Sequence, residues 1–183
     1  MKQQEYKLIR SRRKTLALEI ARDGALIIRA PLPASMEYIS KFIKQKNAWI
    51  AQKQAINRQK WQMAASLGKK SRAEIDQLRS QAEQMIPARA GYFAYLLGLK
   101  HGHVRITNAK TRWGACSRNG NLSFSWRLAM APARVVDYVI IHELIHILEH
   151  NHSRRYWAKV RAAYPEYKNC KQWLYDNQHL LLI

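Results

Sequence analysis

Three ionisable side chains lie close together in the segment His142-Glu143-Leu144-Ile145-His146. Two histidines four positions apart project from one face of a helix, about 6 Å apart along its axis at about 1.5 Å per residue, and this spacing suits two ligands of a tetrahedral zinc ion. Glu143 lies between them and can accept a proton from a metal-activated water. The HExxH pattern therefore predicts hydrolysis by a metal-activated water.

The third protein ligand has three candidates. Glu149 lies on the same helix face, but three ligands in a row along one straight helix approach a metal from one side only. His150 would point roughly 80° away from the second motif histidine if the helix continues. We favour His152, because Asn151 before it tolerates the left-handed conformation that ends many helices and lets the chain turn back. Three histidine ligands would leave one position open for water and substrate, which is the catalytic arrangement.

The motif lies in an apolar segment that is compatible with a helix from Pro132 to about His150. Proline suits the first turn of a helix. The apolar positions that mark the buried side are Val135, Val136, Val139, Ile140, Leu144, Ile147 and Leu148. The alternative is that the motif histidines are hydrogen-bonded core residues without a metal.

The N-terminal part of the chain predicts strands followed by a basic helix. Glu5 to Ala30 is typical of a β-hairpin or small meander, with Asp23-Gly24 at the turn. Ser35 suits the cap of an amphipathic helix that reaches about Trp61 and carries lysines and arginines on its polar face. The segment from Leu67 to Ser71 resembles a hinge.

A second helix follows the hinge. Ser71-Arg72-Ala73-Glu74 is a capping box, Pro87 predicts a kink or a split in the helix, and Gly98 predicts its end. A strand is expected around Val104 to Ile106. Two further helices are expected at 154–164 and from 166 to about 177.

A second hairpin is predicted beside the motif helix, with Asn119-Gly120 at its tip. Apolar and polar residues alternate along the returning strand, from Asn121 to Arg127. An extended peptide can add to an edge strand by main-chain hydrogen bonds, and we expect Asn121 to Arg127 to be that edge. The alternative is a hairpin that only covers the helix.

Composition limits the class of protein. The chain has 183 residues, of which 48% are hydrophobic, so it can bury a core. Two cysteines, Cys116 and Cys170, form no disulfide framework and are typical of reduced thiols in the cytoplasm. No uninterrupted apolar run is long enough for a membrane span. The sequence carries no signal for an oligomeric state.

The net charge of +20 is unevenly distributed. Residues 1–72 hold 17 Lys and Arg against 4 Asp and Glu. This basic half predicts an anionic partner, such as nucleic acid, nucleotide phosphates or an acidic protein. A solvated basic surface without a partner explains the same composition equally well.

The sequence is similar to the YgjP-like metallopeptidase-domain family in several separated blocks. These blocks are Ser11-Arg12-Arg13-Lys14-Thr15, Ala30-Pro31, Lys46-Asn47-Ala48-Trp49-Ile50, Arg112-Trp113-Gly114-Ala115-Cys116-Ser117, Trp126-Arg127-Leu128, Tyr138 to His146, Asn151-His152-Ser153 and Tyr156-Trp157. The family resembles the SprT-like and WLM zincins, some of which cleave proteins bound to DNA.

The resemblance implies an α+β, zincin-like fold in which the HExxH helix packs beside a small antiparallel sheet. We expect a basic β-hairpin and helix region at 1–70 and the metal-dependent hydrolase domain at 71–183. The family relationship implies zinc at His142, His146 and His152, with Glu143 as general acid and base. Nickel, cobalt or manganese are alternative metals for a histidine-rich site.

The leading hypothesis is a zinc-dependent peptidase. The developing oxyanion needs a stabiliser besides the metal, for which Tyr156, four residues after His152, is the candidate, with Arg112 or His150 as alternatives. An ordinary packing role is the other interpretation of Tyr156.

Two other functions fit the same residues. The metal site could hydrolyse a phosphoanhydride or phosphoester of a nucleotide, since Arg and Lys near a metal also stabilise phosphoryl charge. Alternatively, the chain is a nucleic-acid-binding module with a structural metal, closed by a fourth protein ligand such as Glu149 or Cys116.

Overall fold

The computed structural model of the chain describes residues 5–21, 24–66, 68 and 70–181. Contacts divide the chain into two compact units, Met1–Gly68 and Lys69–Ile183. Asp23 of the predicted turn, and Leu67 and Lys69 of the predicted hinge, lie outside the described residues.

The first unit contains a three-stranded sheet of β1 (Tyr6–Ser11), β2 (Ala17–Ile20) and β3 (Leu26–Pro31) in the order β1-β3-β2. β2 and β3 pair antiparallel, as the predicted hairpin requires. β1 pairs parallel with β3, whereas neighbouring strands of a meander are antiparallel, so the expectation of a meander is wrong for β1. The buried side chains of β3 alternate along the strand, which places one face of the sheet on the core.

Two helices complete this unit, α1 (Met36–Gln45) and α2 (Asn47–Ser66). The predicted cap is confirmed, since the Ser35 hydroxyl accepts a hydrogen bond from the amide of Tyr38. The expected single helix is divided at Lys46, whose amide donates to the carbonyls of both Phe42 and Ile43 and so tightens the last turn.

The second unit is a mixture of helices and a small sheet, which confirms the α+β class. Its elements are α3 (Arg72–Leu96), β4 (Val104–Thr107), β5 (Gly114–Cys116), β6 (Leu122–Ser125), a 3₁₀ helix (Trp126–Met130), α4 (Ala133–Ile145), α5 (Arg154–Ala163) and α6 (Tyr167–Leu181). Helix α4 contacts α3, β5, α5 and α6. The motif helix is therefore the central element of this unit.

Helix α3 begins and ends as predicted but is not divided. The capping box of Ser71 and Glu74 is present, and Gly98 adopts a φ of +64° just beyond the helix end. Pro87 lies inside one continuous helix. The small buried residues Ala82, Ala90 and Ala94 line its core side, and packing along this face holds the helix together on both sides of the proline.

The sheet of this unit differs from the prediction in two respects. It is mixed, because β4 is parallel to β6 while β5 is antiparallel to it. The strand predicted at Asn121 to Arg127 ends at Ser125 and lies in the centre of the order β4-β6-β5, so it offers no free edge. The predicted hairpin is confirmed, and Gly120 at its tip has a φ of +72°.

Helix α4 is almost wholly buried, as its apolar pattern predicts. Val135, Ile140 and Leu144 have no measurable exposure, whereas Leu148, which was expected on the same buried side, is half exposed. Asp137 forms a bidentate ion pair with Arg89 of α3, at 2.6 Å for one of the two contacts. This pair fixes α4 against α3 about one turn before the motif.

Within the described part of the chain, no helix combines the length and apolar content that crossing a membrane requires. Cys116 and Cys170 are free thiols.

Candidate metal centre

The segment after α4 brings the third histidine back to the first two. The helix ends at Ile145, five residues before the predicted end at His150. Turns closed by hydrogen bonds between residues three positions apart follow, in which the amides of His146 and Leu148 donate to the carbonyls of Glu143 and Ile145. No described residue other than glycine has a positive φ, so the expected left-handed turn at Asn151 is wrong.

The imidazole rings of His142, His146 and His152 converge on one point. The Nε2 atom of His152 lies 3.1 Å from Nε2 of His142 and 3.2 Å from Nε2 of His146. Among the described residues these three form the group of metal-ligating side chains, with ligand atoms within 4.8 Å of one another. Zinc bound by nitrogen at about 2.0–2.1 Å in a tetrahedron separates its ligand atoms by roughly 3.4 Å, which is close to these distances.

The protonation of these rings also suits a cation. The Nδ1 atom of His146 lies 3.0 Å from the carbonyl of Glu149, which can only accept, so the neutral form of this ring has its proton on Nδ1 and its lone pair on Nε2. Burial, followed by the charges of the other two histidines, lowers the pKa of His142 to about 3. Burial also lowers the pKa of His152. Unprotonated nitrogens at such short separations repel one another unless a cation lies between them, so the residues fit a divalent metal.

Two aromatic residues of α5 support the histidines. Tyr156 is fully buried, its ring stacks on His146 at 4.5 Å, and its hydroxyl donates to the backbone carbonyl of His142 at 3.0 Å. Trp157 stacks on His152 with ring centroids 5.6 Å apart. The hydroxyl of Tyr156 is therefore engaged by the motif helix, and its expected role as oxyanion stabiliser stays a prediction.

Glu143 lies beside the histidines and is 6% exposed. Burial raises the pKa of its carboxyl to about 7, although the charge of Arg112 acts in the opposite direction. A carboxyl with a pKa near neutrality can both accept and return a proton at physiological pH.

The backbone of β5 approaches Glu143 closely at Gly114. A Cβ atom on Gly114 would lie 2.6 Å from Cγ and 2.7 Å from Oε1 of Glu143. Only glycine leaves room for the carboxyl in its present position.

A cavity of about 330 Å³ opens beside Glu143 and His142. Its lining residues are Arg112, Trp113, Gly114, Tyr138, Val139, His142, Glu143, Lys171, Leu174, Tyr175 and Gln178. Of the predicted oxyanion stabilisers, Arg112 is thus brought to the site, whereas His150 is exposed and lies outside the histidine group.

The other candidate ligands lie elsewhere. The carboxylate of Glu149 pairs with Arg155 at 3.2 Å, and neither Glu149 nor Cys116 belongs to the ligand group of the described residues.

Sequence reasoning missed two residues of the site. Gly114 was noted only as part of a family block, although a glycine inside a strand is a signal of close approach by another group. Lys171 of α6 lines the cavity, and its charge contributes to the lowered pKa of His142 and of His152. No local pattern distinguishes this lysine from other surface lysines.

The sequence places the chain in the class of metallopeptidase domains. Residues 64–177 match the family described as YgjP-like, metallopeptidase domain, and the chain belongs to this family.

Among solved structures, the metallopeptidase zymogen of Pyrococcus abyssi abylysin is similar to the chain at 23% identity with a TM-score of 0.44, and the match covers 48% of this chain and 90% of that chain. No curated protein is significantly similar.

Proposed function

We propose that this protein is a zinc-dependent peptidase, with His142, His146 and His152 as metal ligands and Glu143 as general base and acid. The observation that carries the proposal is the approach of three imidazole Nε2 atoms to 3.1 and 3.2 Å beside a buried carboxyl. Membership of a metallopeptidase-domain family supports hydrolysis of a peptide bond. The histidine donors favour zinc over metals that prefer oxygen ligands.

A bound zinc ion would lower the pKa of a water molecule and polarise the carbonyl to be cleaved. Glu143 accepts the proton of the attacking water at a carboxylate oxygen and then donates it to the leaving amine. Burial, which raises the pKa of this carboxyl, favours the return of the proton to the amine. The guanidinium of Arg112, which lines the same cavity, stabilises the negative charge that develops on the carbonyl oxygen.

The substrate strand adds to β5 rather than to β6. β5 forms an edge of the sheet and contacts the motif helix, while β6 is paired on both sides. A peptide extended along Gly114–Cys116 would use main-chain hydrogen bonds for its alignment. Its backbone would then run past Glu143, which touches Gly114.

Metal analysis and turnover of matched variants test the proposal. The purified protein is assayed for bound metal by mass spectrometry and for cleavage of casein and of a proteome-derived peptide mixture, before and after chelation. Glu143→Gln keeps the three ligands, so we expect full metal content and a loss of turnover by several orders of magnitude. His152→Ala removes one ligand and should lose both.

Equal cleavage by the parent and Glu143→Gln would exclude the proposed mechanism. Failure to retain a divalent metal after loading, with the fold intact by circular dichroism, would exclude the metal site.

A nucleotide phosphoanhydride hydrolase is the second candidate, because Arg112 and Lys171 line the cavity and could bind phosphate oxygens. Glu143 is the sole carboxylate among the lining residues, so the cavity offers no cluster for Mg²⁺. Nucleoside triphosphates, assayed beside casein with the same variants, separate the two candidates.

A further inference from the structure

The cavity beside the metal centre is bordered by two cations that face it from opposite elements. Arg112 precedes β5 and acts electrostatically on Glu143, whereas Lys171 of α6 acts on His142 and His152. Among the described residues, no carboxylate forms an ion pair with Lys171. The lining also includes the apolar side chains of Val139 and of the buried Leu174.

A second cavity, of about 590 Å³, continues along the same helix. It shares Lys171 and Tyr175 with the first cavity and adds Lys168, Gln172, Trp157 and Tyr167. No aspartate or glutamate lines it. Because the two cavities share Lys171 and Tyr175, we treat them as one site along α6 and call it the α6 groove. Its lining contains the cations Arg112, Lys171 and Lys168, and Glu143 is its sole carboxylate.

The aromatic residues of the α6 groove are largely engaged with one another. Trp157 stacks with His152 at 5.6 Å and with Tyr167 at 5.5 Å, and the Lys171 ammonium lies 4.7 Å from its ring centroid. These contacts occupy the ring faces of Trp157 that a nucleic-acid base would need for stacking. Tyr175 lines both cavities and is 60% exposed, and its hydroxyl and the amides of Gln172 and Gln178 are polar groups beside the positive charge of the groove.

We propose that the α6 groove is a specificity site for acidic peptide segments, in which Lys171 binds the carboxylate of an aspartate or glutamate next to the bond that is cleaved. Lys168 then binds a second acidic side chain farther along the peptide. The expected preference for cleavage beside acidic residues rests on the proposed peptidase function. The binding of an acidic peptide by the groove does not depend on catalysis.

Binding to a catalytically inactive protein tests the groove first. Short peptides that are identical except for Glu, Gln or Lys at one position are titrated into the Glu143→Gln protein, metal-free and zinc-loaded, by calorimetry at low and high salt. We expect the Glu peptide to bind on the order of tenfold more tightly than the Gln peptide, with a difference that shrinks at high salt. Lys171→Gln should abolish the preference, and Lys171→Glu should reverse it toward the Lys peptide.

Lys100→Glu is the matched control, because Lys100 is an exposed lysine of the same unit that lines neither cavity. It changes the net charge by the same amount as Lys171→Glu, so an equal loss of preference in both variants would overturn the inference in favour of a general charge effect. Tight binding of a nucleoside triphosphate, dependent on Lys171 and without any preference among the peptides, would also overturn it.

Cleavage supplies the second readout. The zinc-loaded parent protein is incubated with a proteome-derived peptide mixture, and the cleavage sites are identified by mass spectrometry. We expect Asp and Glu to be enriched within two positions of the cleaved bond, and we expect this enrichment to vanish in Lys171→Gln but to remain in Lys100→Glu. If the protein cleaves peptides without enrichment of Asp and Glu near the cleaved bond, the groove assignment is wrong and the peptidase function stands. If the protein binds acidic peptides as expected but cleaves none, the peptidase function is wrong and the groove assignment stands.

Discussion

Substitution of Gly114 by alanine tests the link between the edge strand and the general base. The new Cβ would lie 2.6 Å from Cγ, 2.7 Å from Oε1 and 2.9 Å from Cδ of Glu143, all shorter than van der Waals contact. Gly114 has no positive φ, so alanine does not strain the backbone there. The carboxyl must therefore move away from the strand, because both its own helix and β5 are held by packing.

The magnitude follows from two effects. Overpacking of a well-filled site costs about 1–3 kcal/mol of unfolding free energy. A displacement of the base by roughly 1 Å lowers turnover by about 10²-fold. Metal content should not change, because the three atoms nearest to the new Cβ all belong to Glu143 and not to a histidine. The assays are urea unfolding, metal analysis and peptide cleavage, with Glu143→Gln as the reference for complete loss of the base.

Gly91→Ala is the matched control, since a Cβ on Gly91 meets nothing within 4 Å and the residue lies inside α3. It should raise stability by up to about 1 kcal/mol and leave turnover unchanged. In the Glu143→Gln background, Gly114→Ala should cause no further loss of turnover, because the same group is already disabled. Full activity of Gly114→Ala, or a loss that multiplies with that of Glu143→Gln, would refute the reasoning.

Three other perturbations have defined outcomes. Tyr156→Phe removes the hydrogen bond to the His142 carbonyl, so we expect the free energy of unfolding in urea to fall by about 1 kcal/mol while turnover stays nearly normal. A fall in turnover of about 10²–10³-fold would instead make the hydroxyl the oxyanion stabiliser. Asp137→Asn breaks the bidentate pair with Arg89 and should lower the unfolding free energy by about 1–2 kcal/mol without changing metal stoichiometry, and an unchanged urea midpoint would contradict this role. In the metal-free protein, burial raises the pKa of Glu143 from 4.5 to about 7, so the contribution of this carboxyl to stability is full below pH 4.5 and is lost as the pH rises through 7. Relative to Glu143→Gln, the parent should lose up to about 3 kcal/mol of unfolding free energy across this pH range, measured by urea unfolding. Parallel curves of unfolding free energy against pH would contradict this expectation.

The central part of the site follows from the sequence because helix periodicity alone relates His142, Glu143 and His146. The capping box at Ser71 and the glycine of the Asn119-Gly120 turn were also predictable, since each depends on residues adjacent in the chain. These features use local geometry, which the residue types determine directly.

The order of the strands could not be predicted in the same way. Alternating burial of Leu122 and Phe124 is present in β6, and it would be the same for a central strand and for an edge strand with one buried face. The true edge near the site, Gly114–Cys116, has three residues and shows no alternation. Its position depends on pairing between distant segments, which a local pattern does not encode.

The early end of α4 explains how the third histidine and the correct imidazole tautomer arise together. In a helix that continued past His150, the carbonyl of Glu149 would accept from the amide of Ser153. In the structure that amide donates to Asn151 instead, at 2.7 Å, and the Glu149 carbonyl accepts from Nδ1 of His146. The same departure from the helix that returns His152 to the site therefore directs the lone pair of His146 toward the metal position. A variant that extended the helix through Asn151 would move the candidate ligand His152 away from the other two histidines. It would also remove the contact between the Glu149 carbonyl and Nδ1 of His146.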